Sequence, residues 1–312
     1  MKKSIIILSL LTILLVGCSG GQEVNTIRVA VLPVLDALPI HVAQAQGYFE
    51  DQGLEVEIIP VSSAPERDAL MQSGQVEAIL NEVVSTIFYN QEEARVISVR
   101  FLRAASPEYP LFRILAAKGS GITSVDDLKG IEIGISEGTV IQYTTERMLQ
   151  HAGLQSEDII GIAIPKIPDR IALLTSGELA AANLPDPAAS AAILGGAVPV
   201  IDDTTIPEIS HSVLTFNASV AMENPQTLQR FLIAIEEAVK DINADKDAWT
   251  DLMVELNLLP EPLVGKYTIP DFPTAGVPTE AQFNDAVDWA LEKDLISAPV
   301  NYSTSVSGEY LP

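Results

Sequence analysis

The chain has 312 residues, of which 18 are Lys or Arg and 42 are Asp or Glu, so its formal net charge is −24. A hydrophobic fraction of 47% excludes a disordered chain, and the length suits one large or two medium globular domains. The acidic balance argues against nucleic-acid binding and against a charge-driven attachment to an anionic membrane. The single Cys excludes an internal disulfide.

The first 25 residues have the features of an export signal. Lys2 and Lys3 precede an apolar run over residues 5–16, which is too short to cross a bilayer as a helix. The run ends in Leu-Val-Gly-Cys, which resembles the lipobox of bacterial lipoproteins. We therefore expect residues 1–17 to be a signal peptide, Cys18 to carry the lipid and residues 18–25 to form a flexible tether. The alternative is an ordinary buried Cys in an apolar helix.

Strands and helices alternate along the rest of the chain. Apolar and alternating runs predict strands at residues 27–32, 54–61, 76–80, 96–101, 112–117, 131–135, 160–164, 179–183, 198–201 and 213–217. Helical patterns cover residues 38–46, 64–72, 83–90, 140–151, 169–175, 188–194, 226–243, 248–256 and 280–293, with a helical turn at 125–129. Two blocks of this kind predict an α/β fold with two lobes and largely parallel sheets.

Four segments resemble bacterial solute-binding proteins. They are GYFEDQGL at residues 47–54, ALMQSGQVEA at 69–78, SVDDLKG at 124–130 and LPDP at 184–187. In this order, behind a lipobox, they resemble the nitrate/sulfonate/taurine and thiamine-precursor branch of ABC-importer solute-binding proteins, over about residues 27–232. The resemblance implies a type II periplasmic-binding-protein fold, in which two α/β lobes close on a ligand about a hinge.

The resemblance also implies a domain division and a set of partners. Residues 26–103 and 212–312 would form lobe 1, residues 104–211 would form lobe 2, and the crossings would lie near 103–110 and 210–213. The expected partners are a small-molecule solute, the transmembrane subunits of an ABC permease and the membrane, reached through the lipid. We expect a monomer on the extracytoplasmic face of the membrane, with no cofactor, no metal and no catalysis.

Candidate ligand-binding residues lie mainly in the loops after the predicted strands, because ligands of open α/β sheets bind beyond the carboxyl ends of strands. They are Asp36, Leu38, Ser62, Ser63, Glu82, Tyr109, Ser136, Glu137, Gly138, Thr139 and Asp186. Most of them also have a structural alternative. Asp36, Ser63 and Asp186 are placed to cap helices, and Ser63 with Glu66 has the spacing of a capping box. Tyr109 suits hinge packing equally well.

The charges of these loops give a hint about the ligand. Asp36, Glu82, Glu137 and Asp186 are acidic, and the nearest basic residues are Arg103 and Arg113. A nitrate or sulfonate pocket would more naturally present Arg and helix N-termini. The pattern therefore favours a nitrogen-bearing organic solute, such as an aminopyrimidine-like precursor, over an anion, which stays open as the alternative.

An enzyme is the competing hypothesis. Residues 134–138, Gly-Ile-Ser-Glu-Gly, match the G-x-S-x-G nucleophile elbow and lie between a predicted strand and a predicted helix. Asp186 or Asp202, followed by His211, would complete the order of a secreted serine hydrolase with Ser136 as nucleophile. No His-Gly-Gly oxyanion motif is present, and no two His are close enough in sequence to indicate a metal site.

Overall fold

The structure is a computed structural model that describes residues 26–312. The predicted signal peptide, the predicted lipid attachment at Cys18 and the predicted tether lie outside the described residues. The strands are β1 Thr26–Val31, β2 Glu55–Pro60, β3 Ala78–Asn81, β4 Val96–Ala104, β5 Phe112–Ala116, β6 Glu132–Ile135, β7 Ile160–Ala163, β8 Ala181–Pro185, β9 Val198–Asp202 and β10 His211–Asn217.

The helices occupy the segments between these strands and most of the C-terminal part. They are α1 Leu38–Ala45, α2 Tyr48–Asp51, α3 Ala64–Gln72, α4 Val83–Tyr89, α5 Val140–His151, α6 Ile167–Ser176, α7 Ala188–Leu194, α8 Ala218–Glu223, α9 Pro225–Ala244, α10 Thr250–Glu255, α11 Glu280–Glu292 and α12 Tyr302–Ser305. The bounds of α3, α5 and α7 are those predicted, whereas the short helices α2, α8 and α12 carry too little periodic pattern to be predicted.

Two five-stranded sheets are built on the same plan. The first sheet has the order β2-β1-β3-β10-β4 and the second has the order β7-β6-β8-β5-β9. In each sheet three strands run parallel, and the fourth strand in the order is antiparallel to both of its neighbours. The other four strands of each sheet point in one direction, so the sheets are largely parallel as predicted, and β5 and β10 are the exceptions.

Helices cover both faces of each sheet, which is why the central strands β3 and β8 are buried on both sides. On one face of the first sheet, Ile27 and Val29 of β1 pack in the same core cluster as residues of α1 and α9. Ala30, which points to the opposite face of β1, packs with Met71 of α3. In the second sheet, α5 and α11 contribute to the core on one face, and α6 and α7 contribute to the core on the other.

Helix α11, near the C-terminus, contacts helices that belong to both sheets. Its Trp289 is fully buried and shares a core cluster with Val84 of α4 and Met148 of α5. The indole Nε1 donates to Glu146 of α5 at 2.9 Å. Asp285 accepts from the hydroxyl of Tyr143 and from Arg147 Nε at 3.2 Å. Helix α11 therefore contacts the helix that follows β3 as well as the helix that follows β6.

Candidate ligand-binding site

A cleft lies between the two sheets, beyond the ends of β1, β3, β6, β7 and β8. The centre of a water-sized molecule can occupy about 80 Å³ of it, inside a wider space of about 620 Å³ that includes open solvent. Its lining consists of Leu32, Val34, Asp36, Ala64, Arg67, Leu80, Asn81, Glu82, Leu111, Phe112, Ser136, Thr139, Val140, Ile141, Pro165, Ile167, Arg170, Pro185, His211 and Ser212. Eleven of these 20 residues are apolar and nine are polar or charged, and apolar atoms form most of the exposed wall, as is typical of small-molecule sites.

Two acidic candidates line the cleft, but each is paired with an arginine. Asp36 lies in the short 3₁₀ turn Leu35–Ala37 and forms no cap hydrogen bond there; its Oδ1 is 3.5 Å from Arg103 Nη1. Glu82 Oε1 is 3.4 Å from Arg67 Nη2, and its Oε2 accepts from the backbone N–H of Ser85 at 2.9 Å, which caps α4. Burial raises the pKa of Glu82, and the neighbouring guanidinium of Arg67 opposes that rise.

Arg170 of α6 is the basic residue of the cleft without a carboxylate partner in the described part of the chain. Its Nε donates to the carbonyl of Asn183 at 3.1 Å, and its Nη1 donates to Ile164 and Pro165 at 2.7 and 3.1 Å. Burial lowers the pKa of Arg170 to about 10, so the side chain is still a cation at neutral pH. Arg170 is not among the predicted site residues, because it lies inside a helix and the candidates were residues of the loops that follow strands.

Several polar atoms of the lining make no hydrogen bond of normal geometry within residues 26–312. They are Asn81 Oδ1, Ser136 Oγ, Ser212 Oγ and both ring nitrogens of His211. All belong to buried residues, and an unpaired buried polar group costs about 1–3 kcal/mol. These atoms are therefore available to a polar solute, and they come from both sheets and from the strand β10 that returns to the first sheet.

The turn between β6 and α5 accounts for the G-x-S-x-G pattern in structural terms. A Cβ on Gly134 would lie 2.5 Å from Leu179 Cδ2, so a larger residue at this position would displace the Leu179 side chain. Gly138 has φ +64°, and its N–H donates to Gln142 Oε1 at 2.9 Å. Thr139 caps α5, since its Oγ1 accepts from Ile141 N at 3.2 Å. Both glycines are thus explained without a nucleophile.

The hydrolase triad is not assembled in the described residues. Ser136 Oγ and both nitrogens of His211 line the same cleft, yet none of these atoms makes a hydrogen bond of normal geometry. Asp186 is bound to Arg113 and Ser190, and Asp202 accepts from Thr204. A triad needs hydrogen bonds from nucleophile to base and from base to carboxylate, and neither bond is formed.

The remaining candidates lie away from the cleft. Leu38 is fully buried in the core beneath the first sheet, and Glu137 is exposed. Ser63 accepts from Glu66 N at 3.4 Å, but the Glu66 carboxylate reaches back to Ser62 N at 2.8 Å, one residue earlier than in the expected capping box. Both serines therefore serve the start of α3.

Two further candidates border a second pocket beside the loop at residues 105–111. Tyr109 is 38% exposed there. Asp186 is buried at the other side of this pocket; its Oδ2 accepts from Arg113 Nε at 3.0 Å and its Oδ1 accepts from Ser190 N at 3.0 Å. Asp186 thus binds the first turn of α7 from the residue before the N-cap, Pro187, and not as the N-cap that was expected. Its carboxylate faces Arg113, not the cleft.

Neither metal chemistry nor membrane spanning is indicated in the described residues. Residues 26–312 contain no group of three or more His, Cys, Asp or Glu side chains placed to hold a metal ion. Within the same range, no helix combines the length and the apolar character needed to cross a bilayer.

The sequence is similar both to a solute-binding protein and to pyrimidine phosphate synthases. A 4-amino-5-hydroxymethyl-2-methylpyrimidine phosphate synthase from Saccharomyces cerevisiae is 32% identical over 127 residues, which are 40% of this chain and 36% of the yeast protein. A putative aliphatic sulfonates-binding protein from Escherichia coli is 29% identical over 169 residues, or 54% of this chain and 53% of that protein. The chain thus matches about a third to a half of the length of these relatives.

The fold and the family follow from two further matches. The crystal structure of the periplasmic aliphatic sulphonate binding protein SsuA from Escherichia coli superposes with a TM-score of 0.77 at 21% identity, covering 91% of this chain and 92% of that one. This likeness confirms the predicted α/β, type II periplasmic-binding-protein fold. The family model described as NMT1/THI5-like matches residues 35–248. Because that match covers more than half of the sequence, the chain belongs to the NMT1/THI5-like family.

Proposed function

We propose that the chain is an extracytoplasmic solute-binding protein that captures a small organic solute between two lobes and delivers it to an ABC permease. The observation that carries the proposal is the cleft itself, in which unpartnered polar atoms from both sheets face a largely apolar space. Such atoms suit reversible binding. No hydrogen-bonded nucleophile and base accompany them, so the proposal includes no covalent chemistry.

For the ligand, the arrangement of charges supports a solute with an anionic group. The expectation of a nitrogen-bearing ligand depended on acidic loop residues, but Asp36 and Glu82 are paired with arginines and Glu137 is exposed. Arg170 is the cation that still lacks a counter-charge in the described residues. A buried guanidinium is strongly stabilised by an anion such as a sulfonate or carboxylate. The sulfonate-binding name of the relative from Escherichia coli supports the same class.

An aminopyrimidine is the second candidate ligand. Asn81 Oδ1 is a buried acceptor without a donor, and an exocyclic amine would supply one. The similarity to the pyrimidine phosphate synthase from yeast supports this candidate as well, although that similarity covers only 40% of this chain. The two candidates differ in charge, so a binding experiment separates them.

The lobes are proposed with the boundaries expected from the sequence. Residues 26–103 and 212–312 would form one lobe and residues 104–211 the other, and the cleft would close as they rotate. The two sheets support this division, because the second sheet is built wholly from strands within residues 112–202. Helix α11 contacts both halves, so closure would have to preserve or slide that contact.

The test of this function is a direct binding measurement. Calorimetry on the mature chain with ethanesulfonate and with 4-amino-5-hydroxymethyl-2-methylpyrimidine should give saturable binding of one of them at a single site. We expect the sulfonate to bind more tightly, and Leu80→Trp, which fills the cleft, to abolish binding. Leu295→Trp, at a 38% exposed position, is the matched control that should bind normally. Failure of both solutes to bind would contradict the proposal.

Attachment to the membrane is proposed to run through a lipid on Cys18, with residues 1–17 removed as a signal peptide. The high net negative charge supports a lipid anchor, because electrostatics would not hold the chain at an anionic surface. We expect Cys18→Ala to shift the protein from the membrane fraction to the soluble fraction, measured by immunoblotting after ultracentrifugation. Membrane retention of Cys18→Ala that equals the unmodified chain would rule out the anchor.

A further inference from the structure

His211 occupies an unusual place at the junction of the two halves. It is the first residue of β10, its Cα pairs with that of Ala104 at the end of β4, and its side chain is 4% exposed. It lines the cleft on one side and borders a small cavity next to Tyr143 of α5 and Gln282 of α11 on the other. The residue therefore belongs to the strand that joins the halves, and not to a loop of either sheet.

The imidazole ring is held in place, and the backbone of Glu208 is the polar group that influences it most. Phe101 of β4 packs against it edge-on, with ring centroids 5.3 Å apart and an interplanar angle of 81°. Neither ring nitrogen makes a hydrogen bond of normal geometry. A buried polar group without a hydrogen bond is unfavourable, so a solute atom that supplies the missing bond would be bound favourably.

The carboxylates near the ring form ion pairs with arginines. Glu82 at the start of α4 is paired with Arg67 of α3, and Asp36 is paired with Arg103 of β4. The other titratable or charged groups facing the same spaces are Arg170 of α6, which donates to carbonyls, and Tyr143 of α5, whose hydroxyl donates to Asp285 of α11.

These surroundings keep His211 uncharged. Burial lowers the pKa of His211 to about 4, and the backbone of Glu208 offsets only part of that effect. At neutral pH the ring therefore offers one N–H donor and one acceptor nitrogen.

We propose that His211 is a specificity-determining residue of the cleft, whose neutral imidazole donates a hydrogen bond to an acceptor atom of the bound solute. This inference rests on the proposed solute-binding function and adds a contact that comes from the connecting strand. Because β10 is hydrogen-bonded inside the first sheet, the ring keeps its place relative to that sheet when the cleft opens or closes. His211 then contacts the solute in both states, before and after closure.

The contact has a consequence that a purely structural histidine would lack. A solute oxygen that accepts from the ring stabilises the protonated imidazole more than the neutral one, so ligand binding raises the pKa of His211. By linkage, the affinity for that solute rises as the pH falls towards the pKa of the complex. A histidine that merely fills space would show neither effect.

The experiment follows the three histidine rings of the mature chain by nitrogen-15 NMR, with and without saturating ethanesulfonate, and in parallel with 4-amino-5-hydroxymethyl-2-methylpyrimidine. We expect the bound solute to shift the His211 ring signals and to raise the pKa of His211, whereas the exposed His151 stays unchanged. In calorimetry, His211→Leu should weaken binding about tenfold. His211→Gln, which retains an amide donor, should lose less, and His151→Leu is the matched control.

Two other outcomes have distinct meanings. If a solute saturates the chain but leaves the His211 signals and the affinity of His211→Leu unchanged, the inference is wrong and the solute-binding function stands. If neither solute binds the unmodified chain, the proposed function fails and this inference fails with it.

Discussion

Four arginines are almost fully buried, and their partners separate them into two kinds. Arg67, Arg100 and Arg103 each have a carboxylate within 3.5 Å. Within residues 26–312 the fourth, Arg170, has no carboxylate partner and donates to three main-chain carbonyls. Burying a charge without a counter-ion is costly, so this arrangement is consistent with a site that awaits an anion from outside the chain.

Arg170→Gln should remove this attraction. We expect the affinity for ethanesulfonate to fall more than tenfold, because a buried charge pair is worth more than a neutral hydrogen bond. Arg170→Lys should retain part of the affinity, since it keeps the charge but loses the planar fork. Calorimetry measures both variants. Arg95→Gln, whose side chain is 56% exposed, is the control, and equal losses in it and in Arg170→Gln would contradict the assignment.

The pH dependence of folding should also carry the signature of His211. Its pKa is lowered from 6.5 to about 4 in the folded chain, so the unfolded chain binds more protons between these values. The folded state therefore loses stability as the pH falls from 6.5 towards 4, by up to about 3 kcal/mol.

Comparison with His211→Gln isolates this contribution. Buried Asp203, whose pKa is raised to about 6, acts in the opposite direction, but it is present in both proteins. Urea unfolding at pH 7 and pH 4.5 should show that the acid-induced loss is smaller in the variant. Identical losses would show that His211 does not titrate with folding.

Part of the site could be predicted from the sequence, because ligands of α/β sheets bind in the loops that follow strands. Their positions after predicted strands identified Asp36, Glu82, Ser136 and Thr139 as candidates, and all four line the cleft. The charges of these positions were misleading, because the pairing arginines are distant in sequence and only the fold brings them close. Arg170 could not be predicted, because the residue pattern of a helix does not indicate which of its side chains contacts a ligand.

At the scale of elements, local patterns specified most strands and helices, but not how the strands pair. Helix α3 could be bounded from Ser63 and from the apolar spacing that follows it, and helix α5 from Thr139. The antiparallel insertion of β5 and β10 depends on pairing between distant segments, for which a run of apolar residues gives no direction. The role of α11 was likewise hidden, since its partners on α5 are more than 130 residues away.

Helix α11 should contribute strongly to stability through Trp289. The indole is fully buried, stacks edge-on against Tyr143 at 5.5 Å and donates to Glu146. Trp289→Ala should cost about 3–5 kcal/mol, because it leaves a large cavity and an acceptor with one donor fewer. Urea unfolding followed by circular dichroism measures the loss. Leu295→Ala, at a 38% exposed position after the same helix, should cost less than about 1 kcal/mol, and a similar cost in both would contradict the assignment.

At the scale of the whole molecule, ligand binding should stabilise the fold and close it. A solute present at 100 times its Kd adds about 2.7 kcal/mol to the free energy of unfolding, if it binds the folded chain alone. Closure should also reduce the radius of gyration measured by X-ray scattering. Arg170→Gln at the same ethanesulfonate concentration should gain less than about 1.4 kcal/mol, because its affinity is more than tenfold lower. An equal gain in that variant and in the unmodified chain would contradict the role of Arg170.

The pairing of β4 with β10 has a further consequence for how such a chain can change over time. The Cα atoms of Ala104 and His211 are partners in one antiparallel ladder, so everything between them is, in topological terms, the loop of a single long hairpin. The chain leaves and re-enters the first sheet at adjacent points. Replacing the segment between Ala104 and His211 by another would change one wall of the cleft, while the first sheet keeps its hydrogen bonds. Recombination at two neighbouring positions could thus alter solute choice in one step.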